Sequence, residues 1–386
     1  MAKEYKDLVV GLDIGTSKIM VVVAEVLPGG LLKIAGFGVS PSNGLKRGVV
    51  VNIDATVQSI QQALREAELM ADCKIGRVYT GITGSHIRGI NSSGMVAIKD
   101  KEVSRSDVRR VLDTATAINI SNDQRLLLVE SQEFVIDGQD VKDPIGMSGI
   151  RLEAKVHIVT GAQSAAENII KCVHRCGLEV EHLMLNPMAS SLAVLTNDER
   201  ELGVVLVDIG AGTTDVAVFT GGAIRHTAVI PIAGDLITSD IAMALRTPTK
   251  DAEEIKIDSG FAKQLLTDPD SQVEVPGLGD RGPRLLSKQA LAGVIEPRIE
   301  EIFTLVQQAI RETGYEEVLS SGIVLTGGAS VMPGMIELGE DIFLKPVRRG
   351  IPKYSGNLSD MVAQARASTV MGLLEEASLA RLRGMK

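Results

Sequence analysis

Short apolar runs separated by turn residues fill the first part of the chain and predict β-strands. They lie at Leu8–Leu12, Ile19–Glu25, Leu32–Ser40 and Val78–Ile82, and their enrichment in Val and Ile is typical of strands. Before the last of them, apolar residues recur at helical spacing after Asp54, which we expect to be the N-cap of a helix. This order predicts an α/β unit with a mixed sheet.

A different pattern occupies residues 84–160 and predicts a small separate domain. Ser104 is a good helix N-cap, and Val108 and Val111 follow it on one helical face. Two long strand-like runs come next, at Leu126–Ile136 and Leu152–Thr160. This order of helix and strands predicts a small α+β insert, and the segment has no phosphate-binding motif.

The α/β pattern then resumes. A helix is predicted to start at Pro187, and Ser287 is predicted to cap a long helix that runs through Arg311. Residues 258–286 are rich in Gly, Pro and Asp, so we expect them to be irregular. A chain of 386 residues is too long for one core, which predicts several domains.

One pattern, an apolar strand that ends in an aspartate and then a turn of small residues, occurs twice. The aspartates are Asp13 and Asp208. Turns of this kind let backbone N–H groups point at an anion, and a strand-end aspartate can hold Mg²⁺ through its water shell. Either aspartate alone would be read as a turn cap. Two copies predict two similar half-molecules that close on one nucleotide. The predicted phosphate-binding residues are Gly15, Thr16, Ser17 and Lys18 in the first copy and Gly210, Ala211, Gly212, Thr213 and Thr214 in the second.

Three further groups of candidate nucleotide contacts are less clearly indicated by the sequence. Lys18 is equally well explained as a phosphate ligand or as a surface lysine. Glu253 could hold ribose hydroxyls with Lys256 beside the base, although their spacing alone is more typical of a solvated helix face. A third glycine turn, predicted to lie under a purine ring, contains Gly327, Gly328 and Ala329.

Composition narrows the function classes. The net charge of −9 argues against a nucleic-acid surface, which would need a basic stripe. Aromatic residues make up 3% and Trp is absent, so a base-stacking platform is not expected. The chain carries no N-terminal signal pattern and reads as cytosolic, with reduced thiols.

Five elements in order resemble the actin/Hsp70/sugar-kinase ATPase superfamily. They are Asp13–Thr16, the helix at Pro187–Val194, Asp208–Asp215, Thr326–Gly328 and Thr369–Leu374. Within that superfamily, longer strings resemble the bacterial FtsA division proteins. The strings are Glu68–Cys73, Val156–Thr160, Glu199–Val204, Gly221–Thr227 and Ile295–Arg298.

The resemblance implies an α/β, actin-like fold with two α/β lobes that close on a nucleotide and a small α+β insert of the FtsA type. It divides the chain into lobe I core (1–83 and 161–195), insert or subdomain 1C (84–160), lobe II core or subdomain 2A (196–226 and 301–358), subdomain 2B (227–300) and a C-terminal helix that returns to lobe I (359–386).

The resemblance also implies a function. Such a protein binds ATP or ADP with Mg²⁺, polymerises, links FtsZ filaments to the cytoplasmic membrane and recruits later division proteins. It would lie peripherally on the cytoplasmic face of the inner membrane at the septum. The short acidic and apolar FtsZ tail is expected to bind Arg284, Glu296 and Arg298, since such a tail suits arginine side chains beside an apolar groove.

Two departures from the family pattern change the expectation. Where related ATPases carry a Glu or Gln that orients the attacking water, this chain has Asn186, so Asp13 and Asp208 are expected to support at most slow hydrolysis. The family's amphipathic membrane helix lies beyond a linker, whereas this chain stops at Lys386, shortly after Gly372. We therefore expect that helix to lie outside the chain.

Two other function classes share the nucleotide motifs. A sugar-type kinase needs a catalytic aspartate beside a sugar cleft, and no motif places one. An Hsp70-like ATPase requires a second, β-rich peptide-binding domain, for which the chain is too short.

Overall fold

Two similar five-stranded sheets organise the molecule, for which a computed structural model describes residues 7–384. The last two residues of the predicted C-terminal helix, Met385 and Lys386, lie outside the described residues. The first sheet builds lobe I and the second builds lobe II, while a four-stranded sheet forms the insert.

The first elements of lobe I precede the insert. They are β1 (Leu8–Ile14), β2 (Lys18–Val26), β3 (Leu32–Pro41), β4 (Leu45–Lys46), β5 (Val49–Val50), α1 (Ile53–Ala71) and β6 (Arg77–Ile82). The N-cap of α1 is Asn52, whose side chain accepts a hydrogen bond from the Ala55 N–H, and not Asp54 as predicted. Asp54 lies in the first turn, where a carboxylate complements the helix dipole.

The insert follows. Its elements are β7 (Arg88–Ala97), α2 (Arg105–Thr116), β8 (Gln124–Ile136), β9 (Gln139–Val141) and β10 (Arg151–Ala162). The predicted cap Ser104 forms a reciprocal capping box with Asp107, which holds the start of α2. Helix α2 covers one face of the insert sheet through Val111 and Ala115, both buried.

The rest of the chain completes lobe I and builds lobe II. The elements are α3 (Gln163–Arg175), β11 (Glu179–Leu185), α4 (Asn186–Val194), α5 (Asn197–Leu202), β12 (Val204–Ile209), β13 (Thr214–Thr220), β14 (Ala223–Ile230), α6 (Gly234–Leu245), α7 (Thr249–Ser259), β15 (Gln272–Val275), β16 (Arg284–Ser287), α8 (Lys288–Thr313), β17 (Ile323–Thr326), α9 (Met335–Phe343), β18 (Val347–Arg349), α10 (Ser359–Val362) and α11 (Ser368–Gly384).

With these labels, the strand order is β11-β6-β1-β2-β3 in the lobe I sheet, β14-β13-β12-β17-β18 in the lobe II sheet and β7-β10-β8-β9 in the insert sheet.

Two boundaries differ from the prediction. Helix α4 begins at Asn186, one residue before Pro187. The stretch 258–286 is not wholly irregular, because β15 and β16 pair there as an antiparallel hairpin. The second strand ends one residue beyond the stretch, at Ser287. These strands are four residues each and are flanked by Gly and Pro, so their alternation is too short to stand out in the sequence.

The central strands are buried on both faces, and this positions the site. In β12, Val205, Val207 and Ile209 face the core of lobe II, while Val204 and Leu206 face a second core that contains α4 and α11. These two helices therefore lie between the lobe sheets, so that the layers run helix, sheet, helix, sheet, helix. Continuous apolar strands of this kind are expected where helices cover both faces of a sheet.

Among residues 7–384, no helix combines the length and apolarity needed to cross a membrane.

Candidate functional site

The two predicted phosphate turns lie at equivalent places in the two sheets and face one cleft. Strands β1 and β2 are antiparallel and β1 pairs with β6 in parallel; β12, β13 and β17 repeat this arrangement in lobe II. The cleft is lined by Asp13, Ile14, Gly15, Thr16, Ser17, Lys18, Gly48, Thr83, Asn186, Asp208, Gly210, Ala211, Gly212, Thr213, Asp215, Gly327, Gly328, Ala365, Arg366 and Thr369.

Both turns close with the same hydrogen bond. The Gly15 N–H donates to the Lys18 carbonyl oxygen at 3.0 Å, and the Gly210 N–H donates to the Thr213 carbonyl oxygen at 3.0 Å. A Cβ atom at Gly15 would lie 2.6 Å from that carbonyl oxygen, so the first turn requires glycine on steric grounds. The same offset in both lobes gives two matching backbone turns aimed at the cleft.

The second turn also touches lobe I. A Cβ atom at Gly212 would lie 2.4 Å from the Thr16 hydroxyl oxygen and 2.9 Å from the Arg47 Cα. The Thr16 hydroxyl in turn accepts the Gly48 N–H at 2.9 Å. The phosphate turns of the two lobes are therefore packed against each other with space only for a glycine at Gly212.

Three acidic residues of the cleft are buried close to one another. Asp13 and Asp208 are 8% exposed and Asp215 is 3% exposed. Burial raises the pKa of Asp13 to about 6, and burial together with the Asp208 charge raises the pKa of Asp215 to about 8. Burial also raises the pKa of Asp208, against hydrogen bonds from the Ser190 hydroxyl (2.6 Å) and the Thr369 hydroxyl (3.3 Å). Such a site gains from a cation that neutralises the carboxylates.

A direct metal site is not formed by these carboxylates. Among residues 7–384, no group of three or more His, Cys, Asp or Glu side chains is arranged to hold a metal ion. Oxygen-rich surroundings with few protein ligands are what Mg²⁺ uses when phosphate and water complete its shell. The residues present therefore fit a water-mediated Mg²⁺ and do not fit a structural metal.

Lys18 lies at the centre of this charge cluster. Burial lowers the pKa of its ammonium group, while Asp13 and Asp208 oppose that shift. Its Nζ would be 3.8 Å from a Cβ atom at Gly328, so it reaches across the cleft towards the third glycine turn. This geometry favours the phosphate-ligand reading of Lys18 over the surface reading.

The third glycine turn joins the second at the cleft floor. Gly327 has φ +91°, and a Cβ atom there would lie 2.4 Å from the Asp208 carboxylate. The Gly327 N–H donates to the Ala365 carbonyl oxygen at 3.2 Å. The neighbouring Ala329 packs towards Gly234, whose N–H donates to the Gly210 carbonyl oxygen at 3.0 Å.

The two predicted contacts on α7 lie beside this floor. The Lys256 ammonium donates to the Gly234 carbonyl oxygen at 3.1 Å and pairs with the Glu253 carboxylate at 2.8 Å. The Thr238 hydroxyl of α6 donates to Glu253. Of the predicted residues, Thr214, Glu253, Lys256 and Ala329 lie next to the cleft and are not among the described residues that line it.

Asn186 lines the cleft with an unsatisfied acceptor. It is the first residue of α4, and its side chain fills the space left by Gly81, where a Cβ atom would lie 2.0 Å from the Asn186 Oδ1. Within the described part of the chain, that buried Oδ1 has no hydrogen-bond partner. An orphaned acceptor in a polar cleft is matched by a ligand or water that donates to it.

Sequence reasoning missed several cleft residues. The Thr83 hydroxyl donates to the Asp215 carboxylate at 2.8 Å across the two lobes, and Gly48 and Arg366 also line the cleft. Asp215 could have been found, because it closes the second glycine motif and pairs with Asp208 across β12 and β13. Thr83, Gly48 and Arg366 carry no local signal, since a polar residue or glycine after a strand is common.

The three predicted partner-binding residues lie in lobe II, away from the cleft, and each already has a protein contact. The Arg298 guanidinium binds Asp240 with two hydrogen bonds (2.7 and 2.9 Å) and Glu301 with one (2.7 Å). Glu296 accepts the Gln264 N–H at 3.1 Å, and Arg284 donates to the Leu245 carbonyl oxygen.

Comparison with known proteins is consistent across the chain. The family model for cell division protein FtsA matches residues 205–372, and the model for the SHS2 domain inserted in FtsA matches residues 84–160. The cell division protein FtsA of Pseudomonas aeruginosa is 58% identical over 368 residues, which are 95% of this chain and 88% of that protein.

Solved structures give the fold independently. The PilM–PilN type IV pilus biogenesis complex matches with a TM-score of 0.66 at 17% identity, covering 98% of each chain. MreB5 of Spiroplasma citri bound to ADP matches with a TM-score of 0.61 at 14% identity, again covering 98% of each chain. The predicted actin-like fold with an FtsA-type insert is thus confirmed, and the chain belongs to the FtsA family of cell division proteins.

Proposed function

We propose that the cleft binds ATP or ADP with Mg²⁺. The observation that carries this proposal is the pair of glycine turns, closed by equivalent hydrogen bonds in the two lobes and aimed at one cleft with buried carboxylates. MreB5, whose structure was solved with ADP, shares the fold and supports the same class of ligand.

Each part of the cleft has a role in this proposal. The backbone N–H groups of Thr16 and Ser17 in the first turn and of Ala211–Thr213 in the second would hold phosphate oxygens, with the Lys18 ammonium as a point charge. The N–H groups of Gly15 and Gly210 close the turns themselves. Asp13 and Asp208 would hold Mg²⁺ through water, Glu253 and Lys256 would contact ribose and base, and Gly327–Ala329 would form the floor. Bound Mg²⁺ supplies charge neutralisation between phosphate and the carboxylates.

Calorimetry of Mg-ATP binding to Gly212→Asp tests the proposal. The new side chain must push against Thr16 and Arg47 and adds a carboxylate where phosphate is to bind. We expect loss of measurable binding, at least a hundredfold in affinity. Gly76→Asp is the matched control, because nothing lies within 4 Å of a Cβ atom there. Unchanged ATP affinity in Gly212→Asp would contradict the assignment.

We further propose that nucleotide binding supports a structural role in division. As a member of the FtsA family, the protein would self-associate into filaments, bind the FtsZ C-terminal tail and other division proteins, and act on the cytoplasmic face of the inner membrane at the septum. A head-to-tail contact between copies gives open filaments. Negative-stain microscopy of purified protein in solution, with and without ATP, tests self-association. Absence of filaments in both conditions would contradict it.

The competing sugar-kinase function has a cheap test. Because the family relationship and the cleft favour an adaptor, ATP turnover is expected to be the same with and without hexoses. Stimulation by any hexose in a coupled assay would favour the kinase class instead.

A further inference from the structure

The insert is fixed to lobe II by a buried polar contact, although the chain enters and leaves it from lobe I. We name this contact the insert–lobe II joint and define it as Asn91, Gln132, Glu133 and His157 of the insert with Arg225 and Thr227 of β14. The chain passes from β6 into the insert through Thr83 and leaves it through β10 into α3.

The histidine at the centre of the joint is fully engaged. His157 is 1% exposed. Its Nδ1 lies 2.7 Å from the Asn91 Oδ1 and its Nε2 lies 2.9 Å from the Thr227 hydroxyl oxygen. Since an amide oxygen can only accept, Nδ1 carries the proton and Nε2 accepts from Thr227. The ring therefore joins the insert to lobe II in one tautomer.

Side chains of the insert also bind the backbone of β14. The Asn91 amide donates to the Arg225 carbonyl oxygen at 3.1 Å, and the Gln132 amide donates to the Ile224 carbonyl oxygen at 2.8 Å. The Gln132 amide also donates to the Asn91 Oδ1 at 3.0 Å. Because the bonds reach the main chain of β14, they fix the position of the strand as well as that of its side chains.

An ion pair with a buried arginine completes the joint. The Arg225 side chain is 9% exposed, and the Glu133 carboxylate that it binds at 2.7 Å is 28% exposed. The guanidinium carbon lies 5.6 Å from the centre of the Tyr315 ring, and the Arg225 Nε donates to the Thr220 hydroxyl at 2.9 Å. Loss of Glu133 would leave the buried arginine charge without this partner, which favours the arrangement in which the insert lies against β14.

The contact between the insert and lobe I is of a different kind. An open groove of about 330 Å³ separates β8 from the edge strand β11, lined by Arg125, Leu127, His174 and His182 among others. Near the chain crossing, Ile87 and Val159 of the insert pack against Leu185 of lobe I in a small apolar cluster, which Val229 of β14 also contacts. Where β10 leads into α3, the Gln163 N–H donates to the Asp123 carbonyl oxygen at 2.9 Å. The described side-chain packing between the insert and lobe I is therefore mainly apolar, with its backbone hydrogen bonding at the chain crossing.

The strand that carries the joint also returns directly to the cleft. After β14, the Ile232 carbonyl oxygen accepts the Thr214 hydroxyl at 2.7 Å. The Gly234 N–H binds the Gly210 carbonyl oxygen at 3.0 Å, and the Asp235 N–H binds the Ala211 carbonyl oxygen at 2.8 Å. One short segment thus connects the second glycine turn to the insert.

From this asymmetry we infer that the insert moves with lobe II, so that a change in the angle between the lobes displaces it relative to lobe I. The joint is the rigid attachment, and the movement is taken up where the chain crosses between lobe I and the insert, after β6 and before α3. If the cleft binds nucleotide as proposed above, the surface that the insert presents to a partner depends on the state of the cleft. The attachment itself does not depend on that proposal.

Distances between three spin labels test the inference. The labels are placed at exposed positions by Gln62→Cys on lobe I, Asp113→Cys on the insert and Thr304→Cys on lobe II, in pairs, with Cys73→Ser and Cys176→Ser as background. We expect the insert–lobe II distance distribution to be clearly narrower than the insert–lobe I distribution. Equal widths, or the reverse order, would overturn the inference.

Joint variants provide the second arm. Thr227→Val removes the hydrogen bond to His157, and Arg225→Gln removes the ion pair. Each should at least double the width of the insert–lobe II distribution. Lys155→Gln is the matched control, because the exposed Lys155 pairs with the same Glu133 at 3.3 Å. In this variant the width of the insert–lobe II distance distribution should not change. If Arg225→Gln does not fold, the milder Thr227→Val decides; no broadening in Thr227→Val would overturn the inference.

Mg-ATP gives a third measurement, in which the two proposals separate. If calorimetry shows binding, any ligand-induced shift should occur in the insert–lobe I distance and be absent from the insert–lobe II distance. The opposite pattern would overturn the inference. If calorimetry shows no binding, the proposed nucleotide function fails, while the distribution widths still decide how the insert is attached.

Discussion

Three glycines that line the cleft have no space for a larger side chain. Gly15, Gly212 and Gly327 each have a neighbouring oxygen less than 3 Å from where a Cβ atom would lie. At Gly327 the neighbour is the Asp208 carboxylate, so the turn and the acidic residue are packed as one unit. The composition of the turns therefore follows from contact within and between the lobes, besides any contact with phosphate.

Among residues 7–384 the Asn186 Oδ1 finds no hydrogen-bond partner, and this residue leads to a prediction about turnover. An amide cannot act as a general base, and its Oδ1 can only help to position a water molecule. We expect purified protein to release phosphate from ATP far below the ordinary enzyme rate of ~10 s⁻¹. Phosphate release by Gly212→Asp serves as the blank for contaminating ATPases. A turnover at or above the ordinary rate, absent from that blank, would contradict the prediction.

His157 leads to a prediction about pH. Burial, with a smaller contribution from His226, lowers the pKa of His157 to about 4 from its usual 6.5. The unfolded chain then binds more protons than the folded one between these values, so stability falls as the pH falls from about 6.5 to about 4. The loss from this residue alone should be about 2 kcal/mol at pH 5.

Urea unfolding at pH 7 and pH 5 measures this loss in the parent protein and in His157→Gln. The variant should be less stable at pH 7, because the joint is altered. Between pH 7 and pH 5, however, its free energy of unfolding should fall by about 2 kcal/mol less than that of the parent. Carboxylates contribute equally to both proteins and cancel. The same acid loss in parent and variant would show that His157 does not titrate as expected.

At the scale of elements, the crossing of α4 and α11 holds the two lobes together. A Cβ atom at Gly372 of α11 would lie 1.7 Å from the Ala189 carbonyl oxygen of α4. The chain of contacts continues through Gly11 of β1, where a Cβ atom would lie 2.9 Å from the Val370 carbonyl oxygen. Glycine at these places permits helix and strand backbones to touch between the sheets.

Gly372→Ala should therefore destabilise the protein despite the better helix propensity of alanine. Overpacking of this kind typically costs ~1–3 kcal/mol or more. Gly384→Ala in the same helix is the control, because nothing lies within 4 Å there and alanine should be neutral or favourable by up to ~1 kcal/mol. Thermal unfolding of both variants measures the effect, and equal melting temperatures would show that the crossing can adjust.

At the scale of the whole molecule, the two lobes repeat one plan with one informative difference. Asp208 pairs with Asp215 across β12 and β13, whereas Asp13 pairs with Met20 at the equivalent place in lobe I. Among the described residues that line the cleft, lobe II therefore contributes two carboxylates and lobe I contributes one. The lobes are alike in backbone and unlike in charge.

The proposed FtsZ contact is tested at this scale by Arg298→Gln. Since Arg298 already pairs with Asp240 and Glu301, an acidic tail would have to share or replace these partners. We expect Arg298→Gln to weaken binding of an FtsZ C-terminal peptide at least tenfold, with unchanged ATP affinity. Fluorescence anisotropy measures the peptide affinity.

Arg348→Gln is the matched control for that measurement. Arg348 also binds a carboxylate through two nitrogens, in this case Glu199 at 2.7 and 2.8 Å, and it was not predicted to bind a partner. Peptide affinity should stay at the parent value in this variant. Equal affinity in Arg298→Gln and the parent would refute the role of Arg298.

Local signals in the sequence were sufficient for most elements, the fold class and the glycine turns. Caps such as Ser104 and Ser287 and the strands around Asp13 and Asp208 depend on neighbours in the chain, and the structure places them as predicted. The family strings added the actin-like arrangement. The N-cap of α1 was predicted wrongly, because Asn52 and Asp54 are both good capping residues and lie two positions apart. The β15–β16 hairpin was missed, because strands of four residues are too short to show an alternating apolar pattern.

Only the tertiary structure decided what meets across the cleft and beside it. The Thr83–Asp215 hydrogen bond and the insert–lobe II joint connect residues far apart in the chain. The packing of the Asn186 side chain against Gly81 is another such contact. No local pattern announces such contacts, because each residue has an ordinary local role until the sheets bring the distant segments together. The spacing of apolar residues in the sequence predicts which face of a helix or strand is buried. Which distant residues pack against that face is determined only by the tertiary structure.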